Sequence, residues 1–494
     1  MAGIISYGAY IPRYRIDRKR IYKAMGWLNP ATFMPGEKAV ANYDEDSVTM
    51  AVSAGADCLA GMKRTGIDAF FFATTTPPFA ERQSARIIAT ALDVRSNIRS
   101  ADLTATPKSG ITALLTALDA IGAGSAGQAM VCAADCRTGK AGSAQEELFG
   151  DGAAALLMGR EDGIARVLGH HAISHDFVDH WRGTGETWDR QWEDRFIRDA
   201  GYGPFIVEAA KGLATACGVK IRDLSKLIYP CLYPGDFKKI AGILELSREQ
   251  VVDPLIGQVG YTGTPDSLLH LVRALETAGA GDKIAVIGYG AGADAVLLEV
   301  TGKVEDMKAG RRGVRGHLDT KRELDSYEKM AAFRNLLVTE KGIRGDTVAS
   351  TSVSELWRSR KQVLGLYGSR CEACGTPQFP AQRVCVNPNC GETGRMEPYR
   401  FSDRPGTLFT YTGDHLAYSP NPPAIYGFVD FEGGGRYWFD LTDVDLEALH
   451  VDMPMEMSFR KKYVDEKIGM HGYFWKAVPA GAIGGSKKSD GITG

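Results

Sequence analysis

Cys371, Cys374, Cys385 and Cys390 fall within CEACGTPQFPAQRVCVNPNC and carry the sharpest chemical signal in the chain. Two close thiolate pairs supply tetrahedral S₄ coordination, the usual arrangement for zinc. Four protein thiolates leave no open coordination position, so the zinc expected here is structural. A second signal is the stretch DLTATPKSGITALLTALDAI, 102–121. Ile111, Leu114, Leu115 and Leu118 repeat at the spacing of one helix face. Pro107 suits a first helical turn, and Thr104, Thr106 and Ser109 are placed to cap its free N–H groups. A helix N-terminus at such a turn lowers the pKa of a thiol or holds an oxyanion. No cysteine stands there. The glycine-rich GYGAGADAVLLEV, 288–300, contains Gly290 and lies between two strand-like runs. A dinucleotide loop joins a strand to a helix, so this one reads as a tight turn where backbone approaches a site. A P-loop, a Ser-His-Asp order and a metal-binding His-Glu helix motif are all missing.

The chain that positions these groups has 494 residues, enough for two or three domains with sizeable cores. A net charge of −2 implies no bulk attraction to nucleic acid or to an anionic membrane. No apolar run is long enough to cross a bilayer. The start, MAGIISYGAYIP, lacks a charged n-region and a cleavage site. The expectation is a cytoplasmic protein, in which clustered cysteines bind metal rather than form disulfides.

Up to about residue 300, strand-like and helical runs alternate, which argues for an α/β core. The expected strands are Ile4–Tyr10, Ala69–Thr74, Asn97–Leu103, Ala129–Ala134 and Ala153–Met158, with a helix over Asp44–Gly61. The unit strand, helix Ile111–Ile121, strand recurs as Leu227–Cys231, helix Leu268–Ala278 and Lys283–Ile287. Two copies of one unit place both helix N-termini near a pseudo-two-fold axis. The intervening HHAISHDFVDHWRGTGETWDRQWEDRFIRDAGYGPF is rich in His, Trp, Asp and Arg. An insertion of that kind lines a pocket or an interface, or is a solvated loop. The charged stretch 303–330 reads as a linker, and Ser326–Leu336 as a short helix. Beyond the cysteines, Leu408–Thr412, Ile425–Phe431, Arg436–Leu441, Met455–Tyr463 and Gly472–Val478 read as strands of a small barrel. The tail from Ala480 reads as flexible.

Five segments in order, YGAYIPRYRID, PGEKAVANYDEDSVTMAV, GSAQEELFGDGAAALL, SHDFVDHWR and GYGAGADAVLLEV, resemble the hydroxymethylglutaryl-CoA synthases of the thiolase superfamily, especially their archaeal-type branch. The resemblance covers about 1–302. The C-terminal part resembles the DUF35-type module, a rubredoxin-like zinc ribbon with an OB-fold that accompanies thiolase-like enzymes. The fold implied is a thiolase-like duplicated α/β core, followed by a zinc ribbon and a small OB-fold β-barrel. The expected boundaries are 1–165 and 166–302 for the two halves, 303–345 for a linker and helix, 346–399 for the ribbon, 400–480 for the OB-fold and 481–494 for the tail. The resemblance also implies an acyl-CoA substrate and a homodimer or larger homo-oligomer.

The family's chemistry uses a Cys, a Glu and a His. Carried over along the motifs, the Cys position falls at Pro107 in a gapless match, or at Thr106 or Lys108 in a shifted one, the Glu at Thr75 in FFATTTPPFAE, and the His at Cys231 in YPCLYPGDF. Gln258 stands at or near the family's Asn. All three catalytic identities differ, and proline is no nucleophile. The first reading is aldol or retro-aldol chemistry beside a CoA thioester, which needs a base for the β-hydroxyl and donors for an enolate. Tyr233, Tyr261, Cys231, His175 and His180 are its catalytic candidates, with Lys108, Gln258 and Gly290 as substrate contacts. The others are a Claisen-type acyltransferase with a different nucleophile, and a non-catalytic acyl-CoA-binding partner.

Overall fold

The computed structural model describes residues 2–160, 163–345 and 350–481. It contains two compact units. The first runs to Leu337, apart from two short stretches; the second takes Tyr43–Glu45, Thr90–Asp93 and the chain from Val338 on.

The first unit is built on nine strands, in the order Lys226–Ile228, Lys283–Tyr289, Gly292–Val300, Ala165–Ser174, Gly3–Tyr10, Gly152–Gly159, Gln128–Asp135, Ile67–Ala73 and Arg99–Leu103. Among the described residues, the two halves of this sheet join where Gly3 and Ile4 pair with Arg166 and Ala165. In the middle, near-continuous apolar runs such as IDAFFFA and GAAALLMG are buried along almost their whole length, the pattern of strands covered on both faces. Alternation sorts the strands Lys283–Tyr289 and Gly292–Val300 between two cores. Ile284, Val286, Val296 and Leu298 face one hydrophobic cluster, together with the helices Ser109–Gly122 and Asp266–Leu275. Their neighbours Ala285, Ile287, Ala295 and Leu297 face another, with the helix Gly203–Cys217. The helix Ser47–Leu59 is started by Asp46 and Thr49 in a reciprocal capping box and packs on the strands Gly3–Tyr10 and Gly152–Gly159.

The repeated unit is present as expected. The helices Ser109–Gly122 and Asp266–Leu275 lie side by side and touch strands of both halves. Gly110 makes their approach possible: a Cβ there would collide with the Thr264 carbonyl oxygen. Two local expectations change. The first helix buries Ile111, Ala113, Leu114, Ala117 and Ala120, whereas Leu115 and Leu118 are only partly buried. Its cap position is Lys108, with no side-chain cap. The Ser109 hydroxyl donates instead to the Thr104 carbonyl at 3.1 Å.

The stretch read as a linker is folded. It holds the helices Val304–Lys308 and Gly313–Asp319. Val304 and Val314 lie fully buried in the main core. The charge of RRGVRG masked single inward-facing valines.

In the second unit, strands Pro377–Gln378, Tyr367–Cys371 and Met396–Arg400 form a small antiparallel sheet under the cysteines. The barrel strands run Arg436–Asp440, Ala424–Phe431, Gly406–Asp414, Pro454–Asp465 and Met470–Pro479. A bridge from Leu441 to Ala477 closes the first strand on the last, which removes an exposed edge. The expected flexible tail lies, from residue 482 on, outside the described residues.

Candidate functional site

A cavity opens beside the N-terminus of the Ser109–Gly122 helix, with Pro107 in its wall. It encloses about 430 Å³ not filled by protein atoms, open solvent at its mouth included. The turn that carries Pro107 is held by the glycine hairpin. Gly290 has φ +148°, and a Cβ there would strike the Thr106 hydroxyl and the Pro107 ring. That hairpin joins Lys283–Tyr289 to Gly292–Val300, as the sequence predicts. It also brings Tyr289 into the cavity wall.

The His- and Trp-rich insertion supplies Asp179, His180, Asp189 and Gln191 to the lining. His180 Nδ1 lies 2.7 Å from Asp179 Oδ1, which also accepts the His180 backbone N–H at 2.7 Å. This fixes the ring and leaves Nε2 as its remaining polar atom. Burial opposes ionisation of Asp179. The hydrogen bonds and charge of His180, with the Tyr289 hydroxyl, outweigh burial and hold the carboxyl below its ordinary range. Asp189 is ion-paired with Arg137, and both are buried. Gln145 donates to Gln191 at 3.0 Å, and Gln191 donates to the Tyr233 hydroxyl at 3.0 Å.

Tyr233 and Tyr261 enter the cavity from separate elements. Tyr233 precedes the helix Pro234–Ile243. Tyr261 is tied to Leu148 and Gly150 by backbone hydrogen bonds of 2.9 and 3.0 Å. The Tyr261 hydroxyl has no hydrogen-bond partner among the described residues. Burial above all, with nearby carboxylates, pushes both phenols well above their usual pKa. They remain protonated and act as donors, not bases.

Of the residues expected at the site, His180, Tyr233 and Tyr261 are brought together. Cys231, His175, Lys108, Gln258 and Gly290 are not in the lining. Cys231 sits in the second core, where burial pushes its thiol up to about 12. His175 stacks on Phe205, with ring centroids 4.5 Å apart. Lys108 is buried in an ion pair with Asp294 at 3.0 Å, so its cation is neutralised away from the cavity. Gln258 is exposed. Thr75 is also outside the lining; its N–H and hydroxyl both donate to Asp135. Asp179, Arg137, Asp189 and Tyr289 went unpredicted. Only Asp179 had a visible signal, its place directly before His180 in DFVDH.

In the second unit, the four cysteine sulfurs lie within 4.8 Å of one another. The Cys371–Cys390 and Cys374–Cys385 separations are 3.8 and 3.5 Å. A tetrahedron of thiolates about 2.3 Å from zinc has edges of about 3.8 Å, so the set fits that ion.

Residues 358–397 match the family described as the rubredoxin-like zinc ribbon domain of ChsH2, and 399–460 match the C-terminal OB-fold domain of ChsH2. The hydroxymethylglutaryl-CoA synthase of Methanocaldococcus jannaschii is 31% identical over 349 residues, covering 68% of this chain and 99% of that protein. The chain belongs to the hydroxymethylglutaryl-CoA synthase family. The synthase of Pyrococcus furiosus is 32% identical over 319 residues, covering 62% of this chain and 88% of its own. Among solved structures, MvaS in complex with 3-hydroxy-3-methylglutaryl coenzyme A aligns with a TM-score of 0.59 at 18% identity, covering 81% of this chain and 99% of that one. The 3-oxoacyl-(acyl carrier protein) synthase III of Pseudomonas aeruginosa aligns at 0.55 and 21% identity, covering 61% and 98%. Those likenesses establish the thiolase-like fold of the core. Within this hydroxymethylglutaryl-CoA synthase family member, Pro107 lines the cavity just ahead of the Ser109–Gly122 helix.

Proposed function

We propose that this chain makes or breaks a carbon–carbon bond beside a CoA thioester by an aldol-type route without an acyl-enzyme. The observation that carries the reading is the Asp179–His180 pair in a cavity where the helix N-terminus presents Pro107. In the cleavage direction, His180 Nε2 takes the proton of the substrate's β-hydroxyl. The Cα–Cβ bond breaks as the β-carbon becomes a carbonyl. The electron pair moves into the thioester, forming an enolate that Tyr261 stabilises by donating a hydrogen bond, joined by Tyr233 when its hydroxyl turns from Asp194, to which it donates at 3.3 Å. The proton on His180 then returns to Cα, giving an aldehyde or ketone and a shortened acyl-CoA. Asp179 steadies the imidazolium between these steps. Cys231 takes no part, since a buried thiol with a pKa pushed up to about 12 is a poor nucleophile at neutral pH.

A panel of β-hydroxyacyl-CoA thioesters tests this, with both products followed by chromatography. Release of a carbonyl compound together with the matching shortened acyl-CoA is the expected result. Saturable binding without turnover across the panel would point to an acyl-CoA-binding partner instead. Condensation of two acyl-CoAs through a covalent adduct would point to a Claisen-type acyltransferase.

A further inference from the structure

The charged groups in the cavity wall are already paired with one another. Arg137 and Asp189 form a buried ion pair. Both rings beside Arg137 cover its guanidinium, Phe149 at 4.5 Å and Tyr261 at 5.8 Å. His180 is held by Asp179. A third carboxylate, Asp135, is fully buried and lies within electrostatic range of Arg137. It accepts six hydrogen bonds from the hydroxyls of Thr74, Thr75 and Thr76 and from the N–H groups of Thr75, Thr76 and Thr264, none of them cationic. In the wall itself two carboxylates, Asp179 and Asp189, thus face one guanidinium and one imidazole, and Asp135 lies outside the lining. Two more arginines lie outside the lining: Arg182 donates to the Thr75 carbonyl, and Arg198 pairs with Asp236 at 3.5 Å. The remaining wall is aliphatic or aromatic, apart from two glutamines bonded to each other.

We infer that the cavity takes acyl groups with an uncharged, apolar or aromatic end and rejects those that end in a carboxylate. The inference deepens the acyl-CoA reading above and rests on it. A carboxylate entering this space loses its hydration and finds no unneutralised cation in the lining, and two of the charged groups that line it carry its own sign. An apolar chain meets matching walls and gains by leaving water.

The test is equilibrium binding of hexanoyl-CoA and adipyl-CoA to the full chain, with free CoA as the reference. The two thioesters have equally long acyl chains, and adipyl adds a terminal carboxylate. Hexanoyl-CoA is expected to bind at least about tenfold tighter than adipyl-CoA. Equal or tighter binding of adipyl-CoA overturns this inference and leaves the acyl-CoA reading standing. Failure of both thioesters to bind better than free CoA overturns the reading and the inference with it. The variant Asp189→Asn releases the charge of Arg137, and circular dichroism checks its fold. It should shift the ratio toward adipyl-CoA by about tenfold or more; an unchanged ratio in the folded variant contradicts the inference. Should the variant not fold, the wild-type pair alone decides.

Discussion

His180 and Asp179 are neighbours in sequence and partners in space, at 2.7 Å. If His180 is the base, His180→Asn should lower cleavage of the best β-hydroxyacyl-CoA by about 10²–10⁴-fold, with substrate binding retained. Tyr233→Phe and Tyr261→Phe each remove one enolate donor and should cost about 10²-fold in kcat; steady-state kinetics separates these effects from binding. Cys231 behaves differently in this account. Burial pushes its thiol up to about 12. Iodoacetamide at pH 8 should therefore leave it unmodified in the native chain while exposed thiols react, as peptide mapping would show. Cys231→Ala should keep turnover.

At the level of elements, what the sequence disclosed depended on pattern strength. The repeated helix with Leu268, Leu271, Val272 and Leu275 on one face was legible because all four face the core. The residues that complete the cavity were not, because Arg137 and Asp189 lie far apart in sequence and meet only through the fold. The false linker had the opposite cause: Val304 and Val314 are isolated among charges, so no periodicity marks the two short helices they anchor. Glu276 serves the second of these helices by accepting the Val314 N–H at 2.6 Å. Burial, with Asp57 nearby, pushes its carboxyl up to about 7 against the opposing hydrogen bonds from Arg315 and Val314. A raised carboxyl binds more protons folded than unfolded between its ordinary pKa, about 4.3, and about 7. Its contribution to stability therefore declines as pH rises through that window. Glu276→Gln keeps an acceptor for the N–H and removes the titration. The melting temperature of the variant relative to wild type should be near zero shift at pH 5 and positive at pH 8.

For the molecule as a whole, two sequence families meet in one chain, a thiolase-like core and a ribbon with a barrel. The ribbon cysteines and the barrel strands were legible early, because thiolate spacing and short alternating strands are local signals. Zinc content should be about one ion per chain. Stripping it with a chelator should lower the transition of the second unit by calorimetry and expose Cys371, Cys374, Cys385 and Cys390 to a thiol reagent. The central claim, carbon–carbon chemistry without an acyl-enzyme, is tested most directly by intact-protein mass spectrometry on the full chain during turnover of β-hydroxyacyl-CoA and of acetyl-CoA, with products quantified in the same samples. The account predicts unmodified protein alongside a released carbonyl compound and its matching acyl-CoA. An acyl group retained covalently on any residue, mapped by proteolysis, would contradict it.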